Sequence, residues 1–218
     1  GSMEFVKSFT KENSNFRLIQ NPHLGKAGAV TTGMLEAKGD YILFADMDQA
    51  TPIEEINKLF PYFNPPAHSG LSPSGSKTGG YDIVIGSRSG RRKGAPWTRI
   101  LMARGMMILR TLIVGISGIS DTQCGFKVFK KDAAKRVFST IKNIHNGFSK
   151  ISGSSVAAGF DVELLFLAKK MGYKIKEVPV IWLYVETRRV SPVSDSINGL
   201  KELFSIRIND LHGKYKNI

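Results

Sequence analysis

The residues Tyr41 to Pro52, YILFADMDQATP, constrain this chain more than any other segment. Tyr41 to Ala45 is an apolar run with the length and composition of a buried strand. It ends in Asp46-Met47-Asp48, two carboxylates that resist burial because an unpaired charge inside a core is costly. At the carboxyl end of a parallel strand they would point into the crevice where open α/β sheets bind ligands. Thr51-Pro52-Ile53-Glu54 then predicts a helix start, with Thr51 as N-cap, Pro52 at the first helical position and Glu54 closing a capping box. Strand, acidic turn and helix is the arrangement expected. Mg²⁺ accepts one or two carboxylates and fills its shell with phosphate and water, so Asp46 and Asp48 suit a metal that neutralises a diphosphate. The plain alternative is a solvated acidic loop.

A chain of 218 residues with 42% hydrophobic residues can build the core of one α/β domain. Gly1-Ser2-Met3 reads as an expression scar. The domain is expected over 4–190, with a C-terminal amphipathic helix and tail over 191–218. Cys124 is the single cysteine, which excludes an internal disulfide and fits a reducing compartment. No apolar run reaches the roughly 18 residues that a membrane span needs. The net charge of +13 calls for an anionic partner: nucleic acid, anionic lipid or a phosphorylated substrate. Zinc-finger spacing, an RNP-like aromatic motif and a basic heptad array are all missing, so nucleic acid is not expected.

Along the chain, Asn15 to Gln20 reads as a short strand. A helix follows to about Ala37, with Gly25 and Lys26 at its amino end, a place that favours an anion. Ile53, Ile56, Leu59, Phe60 and Phe63 recur at helical spacing. Asn64 to Gly80 reads as a surface loop, and Asp82 to Gly86 as the next strand, leaving through Ser87 and Arg88. The alternation of strands and helices predicts a mostly parallel sheet. Trp97 to Val114 is apolar nearly all round yet carries Arg99, Arg104 and Arg110. It is either a core helix with snorkelling arginines or a helix lying on a membrane surface. Lys127 to Phe129 and Ile175 to Pro179 read as strands, and Phe160 to Met171 as a helix with Asp161 and Glu163 in its first turn. His145 reads as a surface loop residue. Ile197, Leu200, Leu203, Phe204 and Ile208 form a final amphipathic stripe.

The ordered set Asn21 with Gly25-Lys26, Asp46-Met47-Asp48-Gln49-Ala50-Thr51, Gly86-Ser87-Arg88, Asp121 to Phe129, Phe160 to Leu165 and Glu177 to Val180 resembles the family 2 glycosyltransferases. Asp121 to Lys127, DTQCGFK, is the most specific piece. Within the family the similarity is to the dolichyl-phosphate β-glucosyltransferases, and more distantly to the dolichyl-phosphate mannose synthases. The resemblance implies a GT-A fold, Rossmann-like, with a mixed and mostly parallel sheet flanked by helices. It implies inverting transfer of a hexose from a nucleotide sugar, UDP-glucose, to a polyprenyl or dolichyl phosphate at a membrane surface. That surface would be the cytoplasmic face of the ER membrane in a eukaryote, or of the plasma membrane in a bacterium. Asp46 and Asp48 would hold Mg²⁺ or Mn²⁺, with Lys26 and Gln49 near the nucleotide. Arg88 and Arg99 would hold the acceptor phosphate. Asp121, Gln123 and Asp161 would line the sugar and acceptor side, and Asp161 would be a candidate base.

The family's Pro-x-Tyr-Asn-Glu-like and Asp-Asp-Gly-Ser turns, which grip uridine, do not occur before Asn15. The domain is therefore expected to be N-terminally truncated relative to the family pattern. The segment Asn143 to Gly159 is also longer and richer in Ser and Gly than that pattern. A second reading follows from the missing turns: a catalytically inactive remnant that binds membrane or a partner.

Overall fold

Alternation along four short strands decides which side chains face which layer. The computed structural model describes residues 2–65, 80–88, 97–150, 158–183 and 192–216, without the side chains of 2, 97–104, 158 and 192–196. In chain order the elements are α1 (Ser2–Glu12), α2 (Gly25–Glu36), β1 (Tyr41–Ala45), α3 (Ile56–Leu59), β2 (Ile83–Ser87), α4 (Trp97–Val114), β3 (Phe126–Lys130), α5 (Lys131–Ile144), α6 (Ala158–Lys170), β4 (Ile175–Pro179) and α7 (Pro192–Leu211). The four strands form one sheet in the order β1-β3-β2-β4. β2 and β4 pair in parallel, whereas β3 runs antiparallel to both β1 and β2. Three strands therefore point the same way and one is reversed, giving a mixed α/β sheet.

Period-two alternation separates two cores. Ile42 and Phe44 of β1, Ile83 and Ile85 of β2, and Phe129 of β3 meet residues of α5, α6 and α7 on the larger side. Val84, Phe126, Val128 and Val178 meet Leu59 and Phe63 on the other. Each fully buried side chain of this size stabilises the fold by about 1.5–3 kcal/mol. The same alternation puts Lys127, two residues before Phe129, on the larger-core side, where it is 0% exposed.

Most expected elements are present, and four differ. Asn15 to Gln20 is not a strand; it has no ladder partner among the described residues. Ahead of it lies an unexpected helix, α1, where Phe5 and Phe9 sit one turn apart and Phe9 meets Phe16 edge-on, ring centroids 4.9 Å apart. The helix after the acidic turn is not capped by Thr51 and Glu54. It opens as a 3-10 turn at Ile53–Glu55 with extended Pro52 before it and no side-chain cap, and only four residues are α-helical. Glu55 is instead turned back, accepting a hydrogen bond from Ile181 N at 2.8 Å. The final stripe divides: Leu203 is buried, while Ile197, Phe204 and Ile208 remain about half exposed on α7.

His145 is not an isolated loop residue. Its Nε2 lies 2.7 Å from Glu163, whose other oxygen accepts the Tyr215 hydroxyl at 2.6 Å. Burial, then that carboxylate, pushes the Tyr215 pKa up. Glu163 thus ties the end of α5 and the residues after α7 onto α6. The loop expected over Asn64 to Gly80 falls outside the described residues at 66–79, as does the Asn143 to Gly159 segment at 151–157.

Candidate active site

The register brings four strand ends to one edge of the sheet. Ala45 pairs with Phe126, and Ser87 pairs with Pro179. The residues just beyond are therefore neighbours: Asp46 after β1, Arg88 after β2, Trp182 after β4, and Gln123 and Gly125 before reversed β3. Asp46 N donates to Gly125 O at 2.9 Å, Val180 N to Ser87 O at 3.0 Å, and Leu183 N to Ala50 O at 2.6 Å. A cavity of about 110 Å³ opens among them, lined by Asp46, Asp48, Arg88, Gln123, Gly125 and Trp182 among others. This is the carboxyl-end crevice expected of an α/β sheet.

The acidic turn is shaped for exposure. Met47 is 94% exposed, Gln49 adopts φ +47°, and Asp48, which lines the cavity, accepts Ala50 N on Oδ1 at 3.1 Å in an Asx turn. Gly125 is required here. A Cβ on it would lie 1.9 Å from Asp46 Oδ2, so only glycine leaves the Asp46 carboxylate its place.

A line of alternating charge runs inward from Asp46. Lys26 Nζ, on the first turn of α2, is 3.1 Å from Asp46 Oδ1 and 3.6 Å from Asp161 Oδ2. Asp161 Oδ1 in turn accepts from Lys127 Nζ at 2.6 Å, and the same ammonium donates to Cys124 O at 2.7 Å. The Phe44 ring lies under both ammonium groups, 5.5 Å from Lys26 and 4.9 Å from Lys127. Burial alone would lower the Lys26 pKa, but Asp161 and Asp46 outweigh it and raise it.

A second network fixes the segment before β3. Asp121 accepts Arg88 Nε at 2.8 Å, Nη2 at 2.8 Å and backbone N at 2.9 Å. Burial pushes the Asp121 carboxyl up, yet the Arg88 guanidinium outweighs that and holds it below the usual carboxylate range. Arg88 also lies 5.8 Å over the Trp182 ring. Glu177 of β4 accepts Ser120 N, Ser120 Oγ and Asp121 N, each at 2.7 Å. From the opposite side, Arg110 donates to Thr122 Oγ1 at 3.0 Å, to Ile119 O at 2.6 Å and to Ser120 O at 3.2 Å. The 119–122 turn is clamped by an acid on its amides and a base on its carbonyls. Arg110 is buried, so it neither snorkels to water nor reaches a head-group layer: its partners are the carbonyls of this turn. Burial pushes the Cys124 thiol up to about 11, which keeps it neutral and unreactive beneath the turn.

Residues 1–138 match the family model "Glycosyl transferase family 2". The chain belongs to glycosyl transferase family 2. Its mixed α/β sheet flanked by helices is that of a GT-A-like glycosyltransferase fold. Among curated relatives, the chain is 34% identical over 211 residues to the dolichyl-phosphate beta-glucosyltransferase of Dictyostelium discoideum, covering 94% of this chain and 57% of that protein. The enzyme of the same name from Saccharomyces cerevisiae is 33% identical over 218 residues, 97% of this chain and 60% of that protein. The one from Homo sapiens is 31% identical over 196 residues, 88% and 54%. The chain therefore spans between half and two thirds of the length of these relatives.

Against the sequence expectations for a family 2 member, Asp46, Asp48, Arg88 and Gln123 share one cavity. Gln49 is in the same turn, exposed. Asp121 is buried and reaches the cavity through Arg88. Asp161 is 2% exposed and bonded to two lysines, at the inner end of the charge line. The side chain of Arg99, like that of Arg104, is outside the described residues. Sequence reasoning missed Lys127, Glu177 and Arg110. Lys127 could have been found, since a lysine two residues before an inward-facing phenylalanine in a short apolar strand must be buried and paired. The partners of Glu177 and Arg110 depend on turn geometry that no local pattern carries.

The donor set suits a hard divalent cation. Asp46 and Asp48 both line the cavity with carboxylates, the oxygen donors that a hard divalent cation takes. Among the described residues no group of three or more His, Cys, Asp or Glu could hold a metal, so any ion here would take most of its shell from ligand and water.

Proposed function

We propose that this chain carries the metal and acceptor side of a hexosyltransferase that moves glucose from UDP-glucose to dolichyl, or another polyprenyl, phosphate with inversion. The observation that supports it best is the meeting of the acidic turn with Arg88 and Gln123 in one crevice, in a chain 31–34% identical to dolichyl-phosphate beta-glucosyltransferases. A lipid phosphate oxygen bonds to the anomeric carbon as the bond to the nucleotide diphosphate breaks. At neutral pH that phosphate is already anionic, so it needs orientation more than deprotonation. Arg88 can supply that orientation. Asp121 takes two of its five N–H groups and fixes the plane of the guanidinium, leaving a preset fork for phosphate.

Asp46 and Asp48 would hold Mg²⁺ or Mn²⁺, which when bound supplies positive charge for the departing diphosphate. Gln49 and Lys26 flank the nucleotide side, and Gln123 faces the sugar. Asp161, buried between Lys127 and Lys26, acts in this reading as the anchor of Lys26 and takes no proton from substrate. The chain works at the cytoplasmic surface of a membrane. No helix among the described residues is long and apolar enough to cross one, but α4 and α7 expose Ile108, Leu112, Phe204, Ile208 and Leu211.

The test is transfer from millimolar radiolabelled UDP-glucose to dolichyl phosphate in mixed vesicles with Mn²⁺. Label should enter the lipid phase, and Asp46→Asn or Asp48→Asn should each abolish it while thermal stability stays near the parent value. Lipid-phase label that persists in both variants removes the acidic turn from the reaction. No label from the folded parent, with dolichyl phosphate present, overturns the assignment for this chain.

A further inference from the structure

Within the metal reading just proposed, on which this rests, Lys26 has a position that binding the nucleotide does not explain. Its ammonium sits between two carboxylates of different character. Asp46 is partly exposed, lines the cavity and has few constraints besides Gly125. Asp161 is buried, and Lys127 fixes its other oxygen. Lys26 Nζ is 0.5 Å nearer to the exposed acid, 3.1 against 3.6 Å. A divalent cation on Asp46 would stand within a few ångströms of this ammonium, where like charges repel.

We infer that Lys26 is a built-in placeholder cation: it holds Asp46 when no metal is bound and swings to Asp161 and the diphosphate when metal and nucleotide arrive together. Three features of the geometry support this. The Lys26 ammonium lies over the Phe44 ring, 5.5 Å from its centroid, a face shared with the Lys127 ammonium, so it can move between the two acids without leaving its cation–π contact. Asp161 keeps Lys127 whichever place Lys26 takes, so the inner acid is never left unpaired. The third is position: Lys26 is the second residue of α2, whose free N–H groups favour an anion beside it. The consequence is an ordered preference. Metal alone must displace an ammonium and gains nothing in return, whereas metal with diphosphate offers Lys26 a new anion. Lys26 is then a positioning residue that biases the site toward the metal–nucleotide pair over free metal.

The prediction has opposite signs for two ligands, which a merely structural role would not produce. In Lys26→Met, Mn²⁺ alone, followed by electron paramagnetic resonance or calorimetry, should bind about tenfold tighter than in the parent, the scale of losing one nearby like charge at a partly exposed site. UDP titrated at saturating Mn²⁺ should bind the same variant several-fold more weakly. Lys26→Arg should behave as the parent in both titrations. Equal Mn²⁺ affinity in parent and Lys26→Met, or weaker affinity in the variant, overturns the placeholder role while leaving the metal site in place. Should neither parent nor Lys26→Met bind Mn²⁺ in an Asp46-dependent way, the metal reading itself falls and the inference with it.

Discussion

Replacing Lys127 by methionine is the sharpest test of the buried charge line. Methionine matches the length of the lysine stem, so the change removes the ammonium alone, with its hydrogen bonds and its cation–π contact to Phe44. Lys127 Nζ is fully buried and donates to Asp161 and to Cys124 O. Its removal leaves Asp161, itself 2% exposed, with only Lys26 at 3.6 Å. Breaking a buried ion pair from one side costs about 3–5 kcal/mol, much of it the stranded charge. In a chain of this size each kcal/mol lowers the melting temperature by about 2–4 °C, so the expected fall is about 6–20 °C by calorimetry. Against a typical total stability of about 5–15 kcal/mol the variant should still fold at room temperature. The informative partner is the double variant Lys127→Met with Asp161→Leu. Replacing both charges by apolar groups restores a compatible interior, and such replacements are commonly neutral or stabilising. The double variant should therefore melt well above either single one, a large coupling in a double-mutant cycle. A fall below about 2 °C in Lys127→Met, or additive losses in the double variant, would refute the reasoning.

Three further outcomes are expected. Gly125→Ala should leave the melting temperature within a few degrees of the parent, since the clashing group is a movable and partly exposed carboxylate, but it should weaken Mn²⁺ binding by pushing Asp46 aside; unchanged Mn²⁺ affinity refutes this placement of Asp46. Asp121 has a depressed pKa in the folded chain, so its contribution is complete above the unfolded value of about 3.9 and is lost as pH falls through the lower folded value. In Asp121→Asn the loss of stability between about pH 5 and pH 2 should be shallower than in the parent, as read from denaturant midpoints; parallel curves count against it. Co-flotation with anionic vesicles should be seen at low salt, weaken as salt shortens the Debye length below about 10 Å, and fall further in Phe204→Glu or Leu112→Glu; no flotation of the folded chain at low salt removes the docking surface.

Strand positions and the acidic turn were legible because their signals are local. Ile175 to Pro179 forms a strand with the predicted bounds, and Tyr41 to Ala45 ends at Asp46 as its charge pattern requires. The capping box at Thr51 failed because other hydrogen bonds, one of them to a residue far along the chain, shape this segment. Asp48 captures Ala50 N, and the Glu55 carboxylate turns to Ile181 N, so the backbone enters the helix through a tight 3-10 turn. Asn15 to Gln20 failed for a different reason: β propensity stabilises a strand only beside a partner, and the described residues give it none. Arg110 was misplaced because an arginine on an apolar helix looks the same in sequence whether its guanidinium finds carbonyls or water. Only the fold of the 119–122 turn, which is clamped through Glu177 from a strand far along the chain, decides between them.

The strand order has a kinetic consequence. In β1-β3-β2-β4 no ladder except β2–β3 joins strands that follow one another, and even there α4 intervenes. Tyr41 must find Lys130, and Ile83 must find Ile175. No hairpin can therefore nucleate this sheet, and every ladder closes a long loop before its hydrogen bonds repay the lost entropy. Reversed β3 pairs with both β1 and β2, so its arrival closes two of the three ladders. Folding should accordingly be slow for a chain of this length, with α5 and β3, joined without a loop at Lys130–Lys131, forming the seed onto which β1 and β2 dock.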